Sequence, residues 1–117
     1  MSIPKTVLAP TVIAVSPTET TLLSLTLSTM RSAERLTVQL ANLDATQTFA
    51  GVVYRRQSGM VAWADSSIPD FSSIGPLGSA MADLVVGGTE ELEVRGTMSG
   101  AGGSVRVGAT KKDATFA

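Results

Sequence analysis

The chain has 117 residues, carries nine Lys and Arg against ten Asp and Glu, and contains neither cysteine nor histidine. This length suits one domain, and the missing residue types exclude disulfides, thiolate or imidazole metal sites, and catalysis by cysteine or histidine. A net charge of −1 argues against nucleic-acid binding, which usually depends on a basic surplus.

The N-terminal segment, residues 1–15, is apolar and β-prone but contains Pro4 and Pro10, which cannot donate to a β-ladder. It therefore predicts either the edge strand of the domain's own sheet or an extended arm that pairs with a neighbouring subunit. The segment lacks the pattern of a signal sequence, and the apolar runs are shorter than the ~18–20 residues that cross a bilayer. We expect a soluble chain with no membrane partner.

Most of the remaining chain alternates apolar and polar residues with a period of two. The leucines of residues 23–27 alternate with Ser24 and Thr26, and similar runs occur at 36–41, 91–98 and 104–107. About seven strands result, separated by turn-type residues at a spacing of roughly 8–12 residues. The pattern predicts an all-β fold in which residues 1–117 form a single antiparallel β-sandwich, immunoglobulin-like or jelly-roll-like.

A hairpin is predicted at residues 57–59, joining a strand at 48–56 to a second strand at 60–64. The second strand carries the only tryptophan, Trp63, which we expect to be a core anchor. The adjacent Arg55 and Arg56 could contact single-stranded nucleic acid beside an aromatic ring. In a chain with so few cations, pairing with the glutamates at 90, 91 and 93 across a sheet is favoured.

Residues 65–88 are rich in proline, glycine and serine and lack sustained alternation. They predict a long connecting loop between the two sheets, a kind of segment that often forms an interaction surface. One or two helical turns are expected at residues 79–84, with Ser79 as the N-cap. The apolar Phe71, Ile74 and Leu77 would tuck this loop onto the sandwich.

No set of residues supports catalysis. Asp65 and Asp70 have no identifiable partner for acid–base work or a calcium loop. The glycines of residues 100–103 lie between two predicted strands, where a hairpin or a bend rather than a phosphate-binding loop is expected. Since the serines have no histidine base, we predict a protein that is not an enzyme and has no catalytic residue, metal or cofactor.

The chain's size, strand pattern and Ser-, Thr-, Gly- and Ala-rich composition resemble the small β-sandwich proteins of tailed-bacteriophage virions, most of all the capsid decoration (cement) proteins. The resemblance implies a non-catalytic protein on the capsid exterior whose partners are the major capsid protein, copies of itself, or both. The low charged fraction of 16% fits such a role, because a surface with few charges costs less to desolvate against a neighbour.

Apolar residues of the N-terminal segment and of the 65–88 loop are the predicted interface candidates: Val7, Leu8, Val12, Ile13, Phe71, Ile74 and Leu77. Two other functions remain open. One is a structural protein associated with the phage tail, neck or fibre. The other is a carbohydrate- or cell-surface-binding module that uses Trp63 and Tyr54 on a sheet face.

Overall fold

A computed structural model describes residues 5–26, 34–57, 59–66, 68–86 and 90–113. These residues form eight β-strands and one short helix. In chain order the elements are β1 (Lys5–Val15), β2 (Thr20–Thr26), β3 (Glu34–Asn42), β4 (Phe49–Gln57), β5 (Ala64–Asp65), α1 (Pro69–Ser72), β6 (Ser79–Val86), β7 (Glu90–Met98) and β8 (Gly103–Asp113). No helix among these residues is long and apolar enough to cross a membrane.

The strands pair as a nested series in which the first strand meets the last. β1 pairs with β8, β2 with β7, β3 with β6 and β4 with β5, all antiparallel. Further pairing of β3 with β8 and of β4 with β7 produces two four-stranded sheets. Sheet A has the order β1-β8-β3-β6 and sheet B the order β2-β7-β4-β5. The predicted all-β antiparallel sandwich is confirmed, and its eight nested strands are those of a jelly roll.

The apolar faces of both sheets meet in one core. The alternation predicted at residues 36–41, 91–98 and 104–107 is confirmed, because the apolar positions of these runs are buried and pack together. Burying a side chain of the size of Val or Leu contributes about 1.5–3 kcal/mol. The largest fully buried side chains are those of Phe49, Phe71, Leu36, Leu40 and Leu92.

The region predicted as a long loop contains regular structure. Helix α1 and strand β6 lie within residues 65–88, so the prediction of a loop is wrong at these two elements. The helical turns predicted at 79–84 are also wrong, because these residues belong to β6. The pattern misled because Ala80 and Ala82, which face the core beside Leu84, are small, whereas Met81 and Val85 are exposed. The strand predicted at 60–64 is also wrong, since β5 comprises only Ala64–Asp65.

Residues 5–15 form an edge strand of sheet A, paired with β8 of the same chain. The pairing register shifts between Thr6 and Leu8 and again between Leu8 and Thr11. Pro10 lies within the second irregularity, where its missing N–H costs no regular ladder bond. The structure thus places this segment in the chain's own sandwich; residues 1–4 lie outside the described residues.

Candidate functional site

Three connections lie together at one end of the sandwich. They are residues 43–48 between β3 and β4, residues 73–78 between α1 and β6, and residues 99–102 between β7 and β8. We call these segments the loop end. Backbone hydrogen bonds join them, from Leu77 N to Asp44 O (3.0 Å) and from Ser99 N to Thr48 O (3.0 Å). The loop end is therefore one connected surface rather than three independent loops.

Asn42, at the end of β3, is the buried polar side chain on which the loop end is built. Its amide Nδ2 donates to the carbonyl oxygens of Gln47 (2.8 Å), Ile74 (3.1 Å) and Gly75 (3.2 Å). Its Oδ1 accepts from the backbone N–H of Asp44 at 2.9 Å. One side chain therefore satisfies backbone groups from two loops that are about thirty residues apart in sequence.

Asp44 and Gln47 extend this network to the β7–β8 loop. Asp44 Oδ1 accepts from the backbone N–H groups of Thr46 and Gln47, each at 2.8 Å. Gln47 Nε2 donates to Asp44 Oδ2 (2.9 Å) and to Gly102 O (2.7 Å), and its Oε1 accepts from Gly100 N (2.8 Å). The backbone hydrogen bonds from Thr46 and Gln47 lower the pKa of Asp44. The carboxylate is therefore ionised at neutral pH and its charge is met by donors of the same chain.

Leu77 projects from the loop end in an unusual conformation. Its φ is 57°, in the left-handed region, and it is the one described residue other than glycine with a positive φ. This conformation costs a residue with a β-carbon about 1–2 kcal/mol. The side chain is nevertheless 70% exposed, so packing within the chain offsets little of that cost. Leu43, on the neighbouring loop, is also exposed.

The loop end is almost free of charge. Across its three segments Asp44 is the only ionisable residue, and its carboxylate accepts several internal hydrogen bonds. A surface that combines exposed apolar side chains with few charges is readily desolvated by another protein. The loop end has this character.

The outer face of sheet B differs, because it carries a cluster of two aromatic rings and two arginines: Tyr54, Arg56, Trp63 and Arg95. We call this set the aromatic–arginine cluster. The Arg56 guanidinium lies 4.1 Å from the Trp63 ring centroid, and that of Arg95 lies 4.6 Å from Tyr54 and 5.6 Å from Trp63. These are cation–π distances. Arg95 thus links the two rings into one array.

Carboxylates surround the aromatic–arginine cluster. Arg56 pairs with Glu91, which confirms the predicted cross-sheet pairing, and Arg95 pairs with Glu93 (2.7 Å) and Glu19 (3.2 Å). The hydrogen bond with Glu93 is the main cause of the raised pKa of Arg95. Because the arginines are engaged by glutamates of the same chain, the cluster does not present the free basic surface of a nucleic-acid site.

Trp63 belongs to this outer cluster and is half-buried, so its prediction as a core anchor is wrong. It lies in the connection between β4 and β5, where no strand directs it inward. Its side chain instead packs against the Arg56 guanidinium, which also donates from Nη1 to the carbonyl oxygen of Val61 at 3.0 Å. Arg56 therefore fixes this connection on the sheet face.

The predicted interface residues divide into three groups. Phe71 and Ile74 are buried in the core, so presenting them to a partner was a wrong expectation, whereas their expected tucking onto the sandwich is confirmed. The partly buried residues packed against the core include Val7, Leu8 and Ile13. The exposed ones are Val12 and Leu77, so the expectation that Leu77 also tucks onto the sandwich is wrong. Sequence reasoning missed five further exposed apolar residues, Leu43, Met60, Val61, Met81 and Val85.

No family model and no curated protein match the sequence. Among solved structures, the chain is similar to one in the structure of infectious bursal disease virus, Gx strain, with a TM-score of 0.50 and 12% identity. The match covers 96% of this chain and 30% of that one, so the present chain spans less than a third of the viral chain's length. At this identity the likeness concerns the fold. The fold is a jelly-roll β-sandwich in which the loop end carries one ionisable residue, Asp44, and a virus structure contains a chain of similar fold.

Proposed function

We propose that the chain is a non-catalytic structural protein of a virion and acts by binding other proteins. The observation that carries the proposal is the nested eight-strand order together with the likeness, over 96% of the chain, to a chain of a virus structure. Jelly rolls of eight strands recur in viral capsid domains. The sequence, which has no histidine or cysteine, also lacks the commonest catalytic groups.

We further propose that it is a decoration protein on the capsid exterior, with major capsid subunits as its partner. The low charged fraction of 16% and the loop end, whose one carboxylate already accepts internal hydrogen bonds, support this role, since such surfaces bind by area rather than through specific ion pairs. A standard interface buries about 1,600 Å². Repetition over a lattice adds avidity without any special chemistry at the contact.

The observation that favours a second candidate is the position of Tyr54 and Trp63 on one outer sheet face, where a carbohydrate could stack. Each ring has a guanidinium over it, at 4.6 Å for Tyr54 and 4.1 Å for Trp63. Each guanidinium covers one face of its ring and so reduces the aromatic surface that a sugar could stack on. The binding of virion proteins through the loop end is therefore the better supported function.

The experiment is mass spectrometry of purified virus particles whose genome encodes the chain. Heads and tails are separated before the measurement. We expect the chain in the head fraction in many copies, and we expect proteolysis of intact heads to release it. Purified chain should rebind to heads from which it has been stripped. Its absence from particles would overturn the structural role. Its presence in tails alone would replace decoration by the tail, neck or fibre alternative.

A further inference from the structure

The turn at residues 75–78 places a leucine where the backbone favours glycine. Gly78 N donates to Gly75 O at 2.9 Å, so Pro76 and Leu77 are the two central residues of a four-residue turn. Leu77 occupies the second central position with a φ of 57°. Turns with a positive φ at that position usually carry Gly or Asn. A leucine here is unfavourable for the isolated chain.

This turn is held in place on three sides. Asn42 Nδ2 donates to Gly75 O (3.2 Å), the Asn42 N–H donates to Gly78 O (2.8 Å), and the Leu77 N–H donates to Asp44 O (3.0 Å). Strain that persists in a well-fixed turn, on a side chain exposed to solvent, points to a contact with another molecule. Leu77 therefore has the properties of an anchor that is buried on association.

The same chain offers a receptor for such an anchor on the outer face of sheet A. An open groove of about 400 Å³ crosses strands β1, β8, β3 and β6. Its apolar surface comes from Leu8, Pro10 and Met81. Gly108 also lines the groove and, having no side chain, does not fill it. Its volume lies within the range of pockets that bind small molecules, so it has room for a leucine side chain and part of its turn.

The turn also offers hydrogen-bond acceptors to the one charged side chain that lines the groove. Arg106 is the one charged residue lining the groove, and the turn itself has none. Its guanidinium offers N–H donors, whereas a turn offers backbone carbonyl oxygens. The contact therefore buries no carboxylate, and it leaves the Arg106 guanidinium with carbonyl oxygens as acceptors.

We propose that the Leu77 turn of one copy of the chain inserts into the sheet A groove of a second copy. The contact is head-to-tail, because the turn and the groove are different surfaces of one molecule. Such contacts repeat into rings or open arrays rather than ending at a pair. The inference rests on the proposed function in that it names a second copy as a partner within the particle.

Two variants test the contact, each removing one half of it. Leu77→Gly removes the anchor, and Met81→Glu places a charge in the groove at a side chain that is already 55% exposed. Val61→Ser is the matched control, because Val61 is 89% exposed and lies on the β4–β5 connection, outside both surfaces. Association is measured by sedimentation velocity over a concentration series.

We expect the wild-type chain and Val61→Ser to associate with increasing concentration, and each of the other two variants to weaken association by at least about tenfold. A mixture of Leu77→Gly with Met81→Glu should form a one-to-one dimer and grow no further, since one groove and one anchor remain intact. A monomeric wild type, or a mixture that does not pair, would overturn the proposal.

Unfolding measurements separate loss of contact from loss of fold. At dilutions where the wild type is monomeric, Leu77→Gly should be no less stable, because glycine relieves the left-handed strain while it adds entropy to the unfolded chain. A marked loss of stability would assign Leu77 a folding role and contradict the anchor. If the chain occurs in heads but never self-associates, this inference fails and the proposed function stands.

Discussion

The ring of Phe49 occupies the space that a side chain at Gly96 would need. A β-carbon on Gly96 would lie 2.2 Å from Cζ of Phe49 and 2.8 Å from the carbonyl oxygen of Ala50. The backbone at Gly96 does not have a positive φ, so close packing alone requires glycine there. Phe49 is fully buried and lies opposite Met98 in the β4–β7 pairing.

We therefore expect Gly96→Ala to lower the free energy of unfolding by about 1–3 kcal/mol, because the ring or the strand has to shift. Urea denaturation measures this change. Gly75→Ala is the control, since a β-carbon there would meet nothing within 4 Å. Equal unfolding midpoints for the two variants would contradict the packing argument.

Replacing Asn42 by alanine should destabilise the loop end. The substitution leaves the carbonyl oxygen of Gln47 and the N–H of Asp44 without their partner and removes a second donor from the Ile74 and Gly75 carbonyls, at a cost of about 1–3 kcal/mol. Denaturant unfolding gives the magnitude, and faster hydrogen exchange at the Asp44 amide gives the location. Gln39→Ala is the control, because Gln39 is exposed, and it should change neither the stability nor the exchange rate. An Asn42→Ala chain as stable as the wild type would disprove the role of the network.

The stability of the loop end should depend on acid pH through Asp44. Backbone hydrogen bonds hold the pKa of this carboxyl below its ordinary value, so the folded chain takes up the proton less readily than the unfolded chain. The resulting stabilisation is present above the ordinary pKa of about 4 and is lost as pH falls through the lower folded-state pKa.

This dependence is measured by urea unfolding of the wild type and of Asp44→Asn at about pH 6 and about pH 3. We expect the wild type to be more stable than Asp44→Asn at about pH 6. This difference in the free energy of unfolding should narrow at about pH 3. Comparison with the variant cancels the titration of the other carboxyls. A difference that stays constant between the two conditions would exclude Asp44 as the titrating group.

The contact between Arg56 and Trp63 should be visible in fluorescence, because Trp63 is the only tryptophan. Arg56→Ala uncovers the indole ring, so the emission should shift to longer wavelength, with a loss of stability of about 0.5–1 kcal/mol. Arg106→Ala, on the opposite sheet, should leave the emission unchanged. A saturable shift on adding an oligosaccharide to the wild type would instead favour the carbohydrate-binding alternative.

Deleting residues 1–15 should unfold the chain, since β1 pairs with β8 and Val15 lies in the core. Its removal would expose one edge of β8 and uncover the apolar side chains beneath. Circular dichroism checks this, with the full-length Val12→Ser as control because Val12 is exposed. A truncated chain that keeps its β-spectrum and loses only assembly would make the segment an intermolecular arm.

Alternation along the chain determined that it forms strands with one buried face. A period of two places successive side chains on opposite sides of a sheet, so the burial of Leu36, Val38 and Leu40 could be predicted from local sequence. The same reasoning failed at β6, because the inward Ala80 and Ala82 are too small to give a clear apolar signal. Local pattern also left the immunoglobulin-like and jelly-roll alternatives equally open, since both contain similar strands.

The tertiary structure alone decided which strands pair and which apolar residues of one segment remain in solvent. Ile74 is drawn inward by a bridge to Phe49, and Phe71 is buried beside it, whereas Leu77 is turned outward by its positive φ. All three are apolar residues within seven positions of one another. Their exposure depends on partners about thirty residues distant in sequence, such as Asn42 and Asp44. A local pattern carries no information about such contacts, because they form only when the loops meet.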